Sequence, residues 1–419
     1  MRALVFENHM FRLVATKILS LFSARAFVGP LAPAQLKEIA EPTLPAEDWV
    51  VLRTRLCGLC GSDYKQIFMN GAFDNPMTAM ISFPQVLGHE VVGVVDSVGP
   101  RVTSLAPGQR VVLNPWLSCG PRGLPPCEWC ERGEYAQCLN FRSGVIEPGI
   151  HHGNSAQATG GFAPRLPAHE SQCIPIPDDV SDEAAVLADP FSVSLHAILH
   201  HPPPANGIAL VYGCGTLGLL AIAILRALHP GVRVLAVARF VHQAELARQF
   251  GAERVFEHEP PRGIITGVAE ALGVELNEPW RGLPMCNGGV DVVYDTVTSP
   301  GTLEVGVRVA RSRAQIVALG VEVPRRFEWT PLYFKEISLV GSNAFAVEEW
   351  DGRRQHAMQW YLEFLERGRI DVTPILTHRF DLDDYREAFM TCYRQGESRA
   401  VKVLFEFPDE AGATDQSRS

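Results

Sequence analysis

The segment IALVYGCGTLGLLAIAILRAL, residues 208–228, constrains this chain more than any other. A short β-branched run meets a glycine-rich turn and passes directly into an apolar helical run, which dictates strand, tight turn and helix in that order. Similar runs follow at RVLAV, RVF, VDVVYD and QIVAL, with helical stretches such as HQAELARQF between them. Strands alternating with helices imply an α/β unit, a doubly wound parallel sheet covered on both faces.

Residues before about 190 have a different texture, rich in Gly and Pro, with short runs such as VVLRTRL, EVVGVVDSV and QRVVL and few long helices. They predict a mostly β domain over 1–190, followed by the parallel-sheet domain over 191–340. A C-terminal part over 341–407 is expected to return to the first domain, and 408–419 reads as a disordered tail. The stretch 259–289 is long for a connection and is expected to carry a helix of its own. In FRLVATKILSLF, residues 11–22, Phe11, Val14, Ala15, Ile18, Leu19 and Phe22 follow helical spacing. This segment is too short to span a membrane and reads as an amphipathic helix packing on its own domain, a membrane-surface helix being the alternative.

At 419 residues, with 47% hydrophobic and 20% charged residues, the chain is long enough for two ordinary domains. Its formal net charge of −10 and lack of a Lys/Arg block argue against nucleic acid as a partner. Ten cysteines are too few for a disulfide scaffold at this length, and their clustering favours metal ligation in a reducing, cytoplasmic compartment.

VYGCGTLG places Gly213, Gly215 and Gly218 in a G-x-G-x-x-G pattern, with Thr216 and Leu217 opening the helix. Such glycines let the backbone approach a pyrophosphate, whose charge sits at the helix N-terminus. About twenty residues on, where a carboxylate marks preference for NAD, the chain has Ala238 and Arg239. A guanidinium pairs with a 2′-phosphate, so the expected cofactor is NADP(H), the alternative being that Arg239 faces solvent and the site is indifferent to cofactor.

Cys119, Cys127, Cys130 and Cys138 lie within about 115–140 and include a C-x-x-C, the donor set of a closed tetrahedral zinc. Cys60 in GLCGSD, His89 and Glu90 in GHE, and Asp189 in LADPFSVSLHA offer S, N and O donors for a second, open site, although no local spacing groups them. Cys57 and Cys60 also form a C-x-x-C, whose shared metal, disulfide or independence the pair alone leaves open.

The order of GLCGSD, GHE, the four-cysteine lobe, GGFA, DPFSVSLHA and GCGTLG resembles the zinc-dependent medium-chain dehydrogenase/reductases, from MRALVF to KVLFEF. The resemblance implies a mostly β GroES-like catalytic domain and a Rossmann domain. It further implies two zinc ions per chain and hydride transfer between the nicotinamide cofactor and an alcohol/carbonyl pair, with zinc polarising the substrate oxygen. It makes Cys60, His89 and Asp189 the catalytic zinc ligands, Glu90 a neighbouring carboxylate able to swing onto the metal, Ser62 the proton relay and Asp63 the residue orienting the site. Cys57 then falls outside the metal site as a buried small residue. Val297, Gly320 and Val321 would lie against the nicotinamide. A homodimer or tetramer is the family's habit.

Two departures stand out: seven residues separate Cys119 from Cys127 where relatives usually have two, and Lys65 stands where the relay often has His. His151 and His152 either line the cleft or form a solvated loop pair, and His196 reads as structural. Cys173, Cys214, Cys286 and Cys392 read as ordinary thiols. Tyr64, Phe68, Trp116 and Phe345, as pocket candidates, favour an apolar or aromatic substrate over a sugar. The competing readings are an NADPH-binding redox sensor or scaffold keeping only the structural zinc, and a zinc-free quinone or enone reductase. The intact Cys60, His89 and Asp189 set argues against both.

Overall fold

The computed structural model describes residues 1–71, 75–257, 259–320 and 326–408. Two compact units divide the chain: Met1–Asp189 with Met358–Glu366 and the segment from Leu376 onward, and Pro190–Ala357 with Arg367–Ile375. Residues 341–357, expected with the terminal return, cluster instead with the second unit, because strands Val347–Trp350 and Arg353–His356 form a hairpin there. Of the expected tail only Glu410 to Ser419 and Asp409 lie outside the described residues.

In the first unit, the long strand Trp49–Gly58 is the spine. It pairs antiparallel with Glu90–Val98 along most of its length, with Arg165–His169 over its first half and with Lys402–Glu406 at its end. Arg110–Leu113 and Cys173–Pro175 extend the sheet beyond Glu90–Val98, and Leu376–Asp381 adds a parallel edge next to Lys402–Glu406. The inward aliphatic residues Val50, Leu52, Val91, Val95 and Val111 close on Phe162, Phe389 and Phe405 to form the core. This register carries three chemically loaded positions to one end of the sheet, since Gly58 lies opposite both Glu90 and Leu404.

The N-terminal insertion does form a helix, Met10–Leu19, but its apolar stripe faces away from the domain. Phe11, Val14, Ile18, Leu19 and Phe22 are exposed, Phe22 at 86%. The helix is instead held by polar bonds to loop carbonyls, from Arg12 to Ala32 O (2.9 Å), Thr16 Oγ1 to Leu31 O (3.1 Å) and Lys17 Nζ to Met69 O (3.0 Å). Periodicity gave the helix correctly and its buried face wrongly, because unsatisfied carbonyls in the neighbouring loop claimed the polar side.

The second unit is a six-stranded sheet in the order 254–257, 233–238, 208–212, 290–295, 310–318, 338–341. All neighbours run parallel. This is the doubly wound order in which the connections reverse direction beside the strand Ile208–Tyr212, leaving a crevice at the carboxyl ends of the strands. The stretch 259–289 contains the helix Pro261–Leu272 and a short hairpin, Leu276–Asn277 with Met285–Cys286. No helix among the described residues is long and apolar enough to cross a membrane.

Candidate active site

Strand Trp49–Gly58 ends two residues before Cys60, which starts the helix Gly61–Ile67. Asp63 fastens this corner: its Oδ2 accepts the Cys60 N–H at 3.0 Å and its Oδ1 accepts the Gly88 N–H at 3.3 Å. The same carboxylate stands 3.8 Å from His89 Nδ1. Asp63 therefore ties the loop bearing Cys60 to the loop bearing His89, although the two are far apart in sequence. Ser62 lies on the exposed side of the same helix start, and Lys65 is half-buried one turn later.

The sulfur of Cys60, a ring nitrogen of His89 and a carboxylate oxygen of Glu90 all lie within 4.8 Å of one another. Asp189, in the first turn of helix Ala188–His200 and 7% exposed, lies outside that close set but interacts electrostatically with His89, Glu90 and Asp63. Burial raises its carboxyl pKa to about 7, with His89 opposing and Glu90 adding to the rise. Burial also resists charging of His89, yet Cys60, Asp63 and Asp189 outweigh it and push its pKa well above the ordinary value. Cys57 is fully buried and lies outside the donor set; burial holds its thiol protonated.

Lys402 completes the pocket, and the sequence reading did not single it out. It forms a buried ion pair with Glu90, the two side chains 3% and 1% exposed, and donates to Leu59 O at 3.2 Å. The space exists because Gly58 has no side chain: a Cβ there would meet Glu90 Oε2 at 2.0 Å and Lys402 Cε at 3.0 Å. The available signal was a lone lysine in the apolar terminal run AVKVLFEF.

These residues fit a zinc ion. Sulfur, nitrogen and carboxylate-oxygen donors lie within 4.8 Å of one another beside the buried Asp189, whose carboxyl pKa burial pushes up to about 7. A dication suits such a mixed donor set and favours the ionised form of a nearby carboxyl.

His151 and His152 are not solvated. The His151 ring sits 4.6 Å from that of His89 and edge-on to Trp116, and burial pulls its pKa down to about 3. His152 is fully buried, with its ring nitrogens 3.0 Å from Thr159 O and 3.2 Å from Gln172 Oε1. Among the suggested pocket aromatics, Phe68 and Phe345 are core residues, each 1% exposed, with Phe68 stacked on Tyr64.

The four cysteines of the lobe converge as a second donor set. Cys119 and Cys138 sulfurs are 3.6 Å apart, and Asn140 donates to both, through its side chain and backbone at 3.3 Å. Hydrogen bonding from Cys138 brings the Cys130 thiol down to about 5, while the proton is retained on Cys138. The enlarged segment between Cys119 and Cys127 contains Arg122, whose side chain is fully buried. Its guanidinium donates to the carbonyls of Leu117, Ser143, Ile146, Glu147 and Gly149, tying the lobe across thirty-odd residues. A buried cation bonded only to neutral carbonyls is costly, and four thiolates on one dication leave the net negative charge that offsets it.

In the second unit, Gly213 adopts φ +94°, and a Cβ on Gly218 would stand 1.7 Å from Gly213 O. The turn and the helix Thr216–Leu228 thus pack at a distance only glycine allows, with Gly215 immediately before the helix. A Cβ on Gly213 would meet Val297 at 2.7 Å, and one on Gly320 would meet the Val297 backbone at 2.4 Å, so these three positions share one loop cluster. Asp295 organises it by accepting from the N–H groups of Val297 (3.0 Å) and Thr298 (2.8 Å) and from Thr302 Oγ1 (2.6 Å). Ala238 is buried at the end of its strand, and the exposed Arg239 lies with its guanidinium 5.2 Å from the Phe240 ring. Val321 lies outside the described residues.

Comparison with known proteins agrees with this architecture. Residues 46–178 match the model of the alcohol dehydrogenase GroES-like domain, and residues 216–364 that of the zinc-binding dehydrogenases. The chain belongs to the zinc-dependent medium-chain dehydrogenase/reductase family. It is 28% identical to L-idonate 5-dehydrogenase of Vitis vinifera over 87% of this chain and 89% of that one. It is 27% identical to galactitol 1-phosphate 5-dehydrogenase of Escherichia coli K12, over 88% and 96%. Among solved structures, 2R,3R-butanediol dehydrogenase of Bacillus subtilis superposes with a TM-score of 0.73 at 22% identity, over 97% of this chain and 99% of that one.

Proposed function

We propose that this chain is a zinc-dependent oxidoreductase that interconverts a small alcohol and its carbonyl compound using NADP(H). The observation that carries the reading is the buried convergence of sulfur, nitrogen and oxygen donors from Cys60, His89 and Glu90, with Asp189 alongside. Cys60, His89 and Asp189 would hold the zinc, and Glu90 would exchange between Lys402 and the metal. Zinc bound there supplies Lewis acidity toward the substrate oxygen, and the nicotinamide gives or accepts the hydride. Ser62 takes the hydroxyl proton on its Oγ and passes its own toward solvent, with Lys65 one turn behind it. Asp63 keeps Cys60 and His89 in register through two backbone N–H bonds. Gly213, Gly215 and Gly218, with Thr216 and Leu217, cradle the pyrophosphate at the helix N-terminus, and Arg239 pairs with the 2′-phosphate.

The names of the sequence relatives, an (R,R)-butanediol dehydrogenase among them, make polyols and vicinal diols the first substrates to test, ahead of the aromatic alcohols that the pocket residues suggested. A reducing compartment and a homo-oligomeric assembly complete the proposal. The test is zinc per chain in wild type and Cys60→Ala, together with NADP(H)-linked turnover of polyols and diols. Loss of one zinc and of turnover in the variant supports the reading. Equal zinc in both proteins refutes the open metal site and favours a sensor, scaffold or zinc-free reductase.

A further inference from the structure

His196 and His200 lie four residues apart on the helix Ala188–His200, which puts their imidazoles on one face, with ring centroids 4.2 Å apart. Facing them is Glu348, on the strand Val347–Trp350, its side chain 1% exposed. Its carboxylate spans both rings: Oε1 lies 2.6 Å from His196 Nδ1, and Oε2 lies 3.0 Å from His200 Nε2. The Ala346 N–H donates to Oε1 at 3.0 Å and fixes the carboxylate's orientation. The His200 side chain is 46% exposed, so the cluster opens to solvent on one side.

We propose that His196, His200 and Glu348 form a third metal site, for a divalent ion of the zinc class, separate from both cysteine-containing sets. One donor atom from each residue lies within 4.8 Å of the others. Two imidazoles and one carboxylate suit zinc, whose bonds to N and O of about 2.0–2.1 Å put neighbouring ligands of a tetrahedral site roughly 3.3 Å apart. The nitrogen–oxygen spacings of 2.6 and 3.0 Å would open by about 0.7 and 0.3 Å for an ion to enter. The site shares no residue with either cysteine-containing set. His196 and His200 follow Asp189 by 7 and 11 residues, roughly 10 and 16 Å of helical rise.

A hydrogen-bonded His-Glu-His cluster without metal is the competing account, and the zinc count of the His200→Ala variant separates the two. Donors from two elements converge while the His200 side chain, 46% exposed, leaves one side open to solvent, which gives an ion a way in. The carboxylate held by a backbone N–H is the kind of support that orients a metal ligand. A bound ion would clasp the end of helix Ala188–His200 to the hairpin formed by Val347–Trp350 and Arg353–His356.

The experiment is zinc per chain for full-length wild type, His200→Ala and Glu348→Gln after dialysis against low-micromolar zinc. The two variants are expected to carry one zinc fewer than wild type, with affinity at this site at least about tenfold weaker. Cobalt(II)-loaded protein assigns the loss, because thiolate-to-cobalt absorption must be equal in wild type and His200→Ala. Equal zinc in wild type and His200→Ala, or a loss that takes the thiolate band with it, overturns the proposal. The exposure of His200 makes its alanine variant the one that decides if Glu348→Gln fails to fold.

Discussion

Lys402→Met tests the electrostatic design of the first unit most directly. The mutation removes the cation from a buried pair and leaves Glu90, 1% exposed, facing a cavity where Nζ had been. Two unit charges about 4 Å apart at an effective dielectric of 20 attract by about 4 kcal/mol. Breaking one side of a buried pair costs about 3–5 kcal/mol, largely through the uncompensated partner. Lys402→Met should therefore lower stability by that amount, whereas Lys402→Met with Glu90→Gln, which removes both charges, should recover about 2–3 kcal/mol of it. Zinc-loaded wild type, both single variants and the double variant are compared by urea unfolding monitored by far-UV circular dichroism. A single variant that loses less than about 1 kcal/mol, or a double variant as unstable as the sum of its parts, would refute the view that this pair balances the pocket.

Further outcomes follow from the same geometry. Arg122→Met should release zinc from the four-cysteine lobe, seen as one zinc fewer per chain at equal chelator, because five carbonyls lose their shared donor. Gly218→Ala should abolish nucleotide binding in a fluorescence titration, since its methyl group would overlap Gly213 O. Arg239→Ala should raise KM for NADPH at least about tenfold and leave KM for NADH nearly unchanged; equal effects on both would remove the 2′-phosphate contact. Burial lowers the His152 pKa below its ordinary value, so its contribution to stability is complete above about pH 6.5 and is lost as pH falls from there through the folded value. His152→Gln should flatten the acid limb of a melting profile by up to about 1.4 kcal/mol per pH unit, the slope set by one proton.

Local periodicity and motif chemistry determined much of this protein. The strand, glycine turn and helix around Gly213 require a parallel sheet, and Cys119 to Cys138 lie close enough in sequence to announce one donor set. The family pattern brought Cys60, His89 and Asp189 onto one page, but only the antiparallel register of Trp49–Gly58 with Glu90–Val98 and Lys402–Glu406 brings Gly58, Glu90 and Lys402 together. No local signal encodes a pairing across 343 residues. The same limit explains why His196 reads as structural from sequence, since Glu348 meets it from 152 residues away. The N-terminal helix shows the converse: spacing specified Phe11, Val14, Ile18 and Phe22 as a face, but carbonyls at Leu31, Ala32 and Met69 decided that the opposite face packs. Sequence sets which groups a segment presents; the tertiary fold decides which of them must find partners, because only there are backbone and charge removed from water.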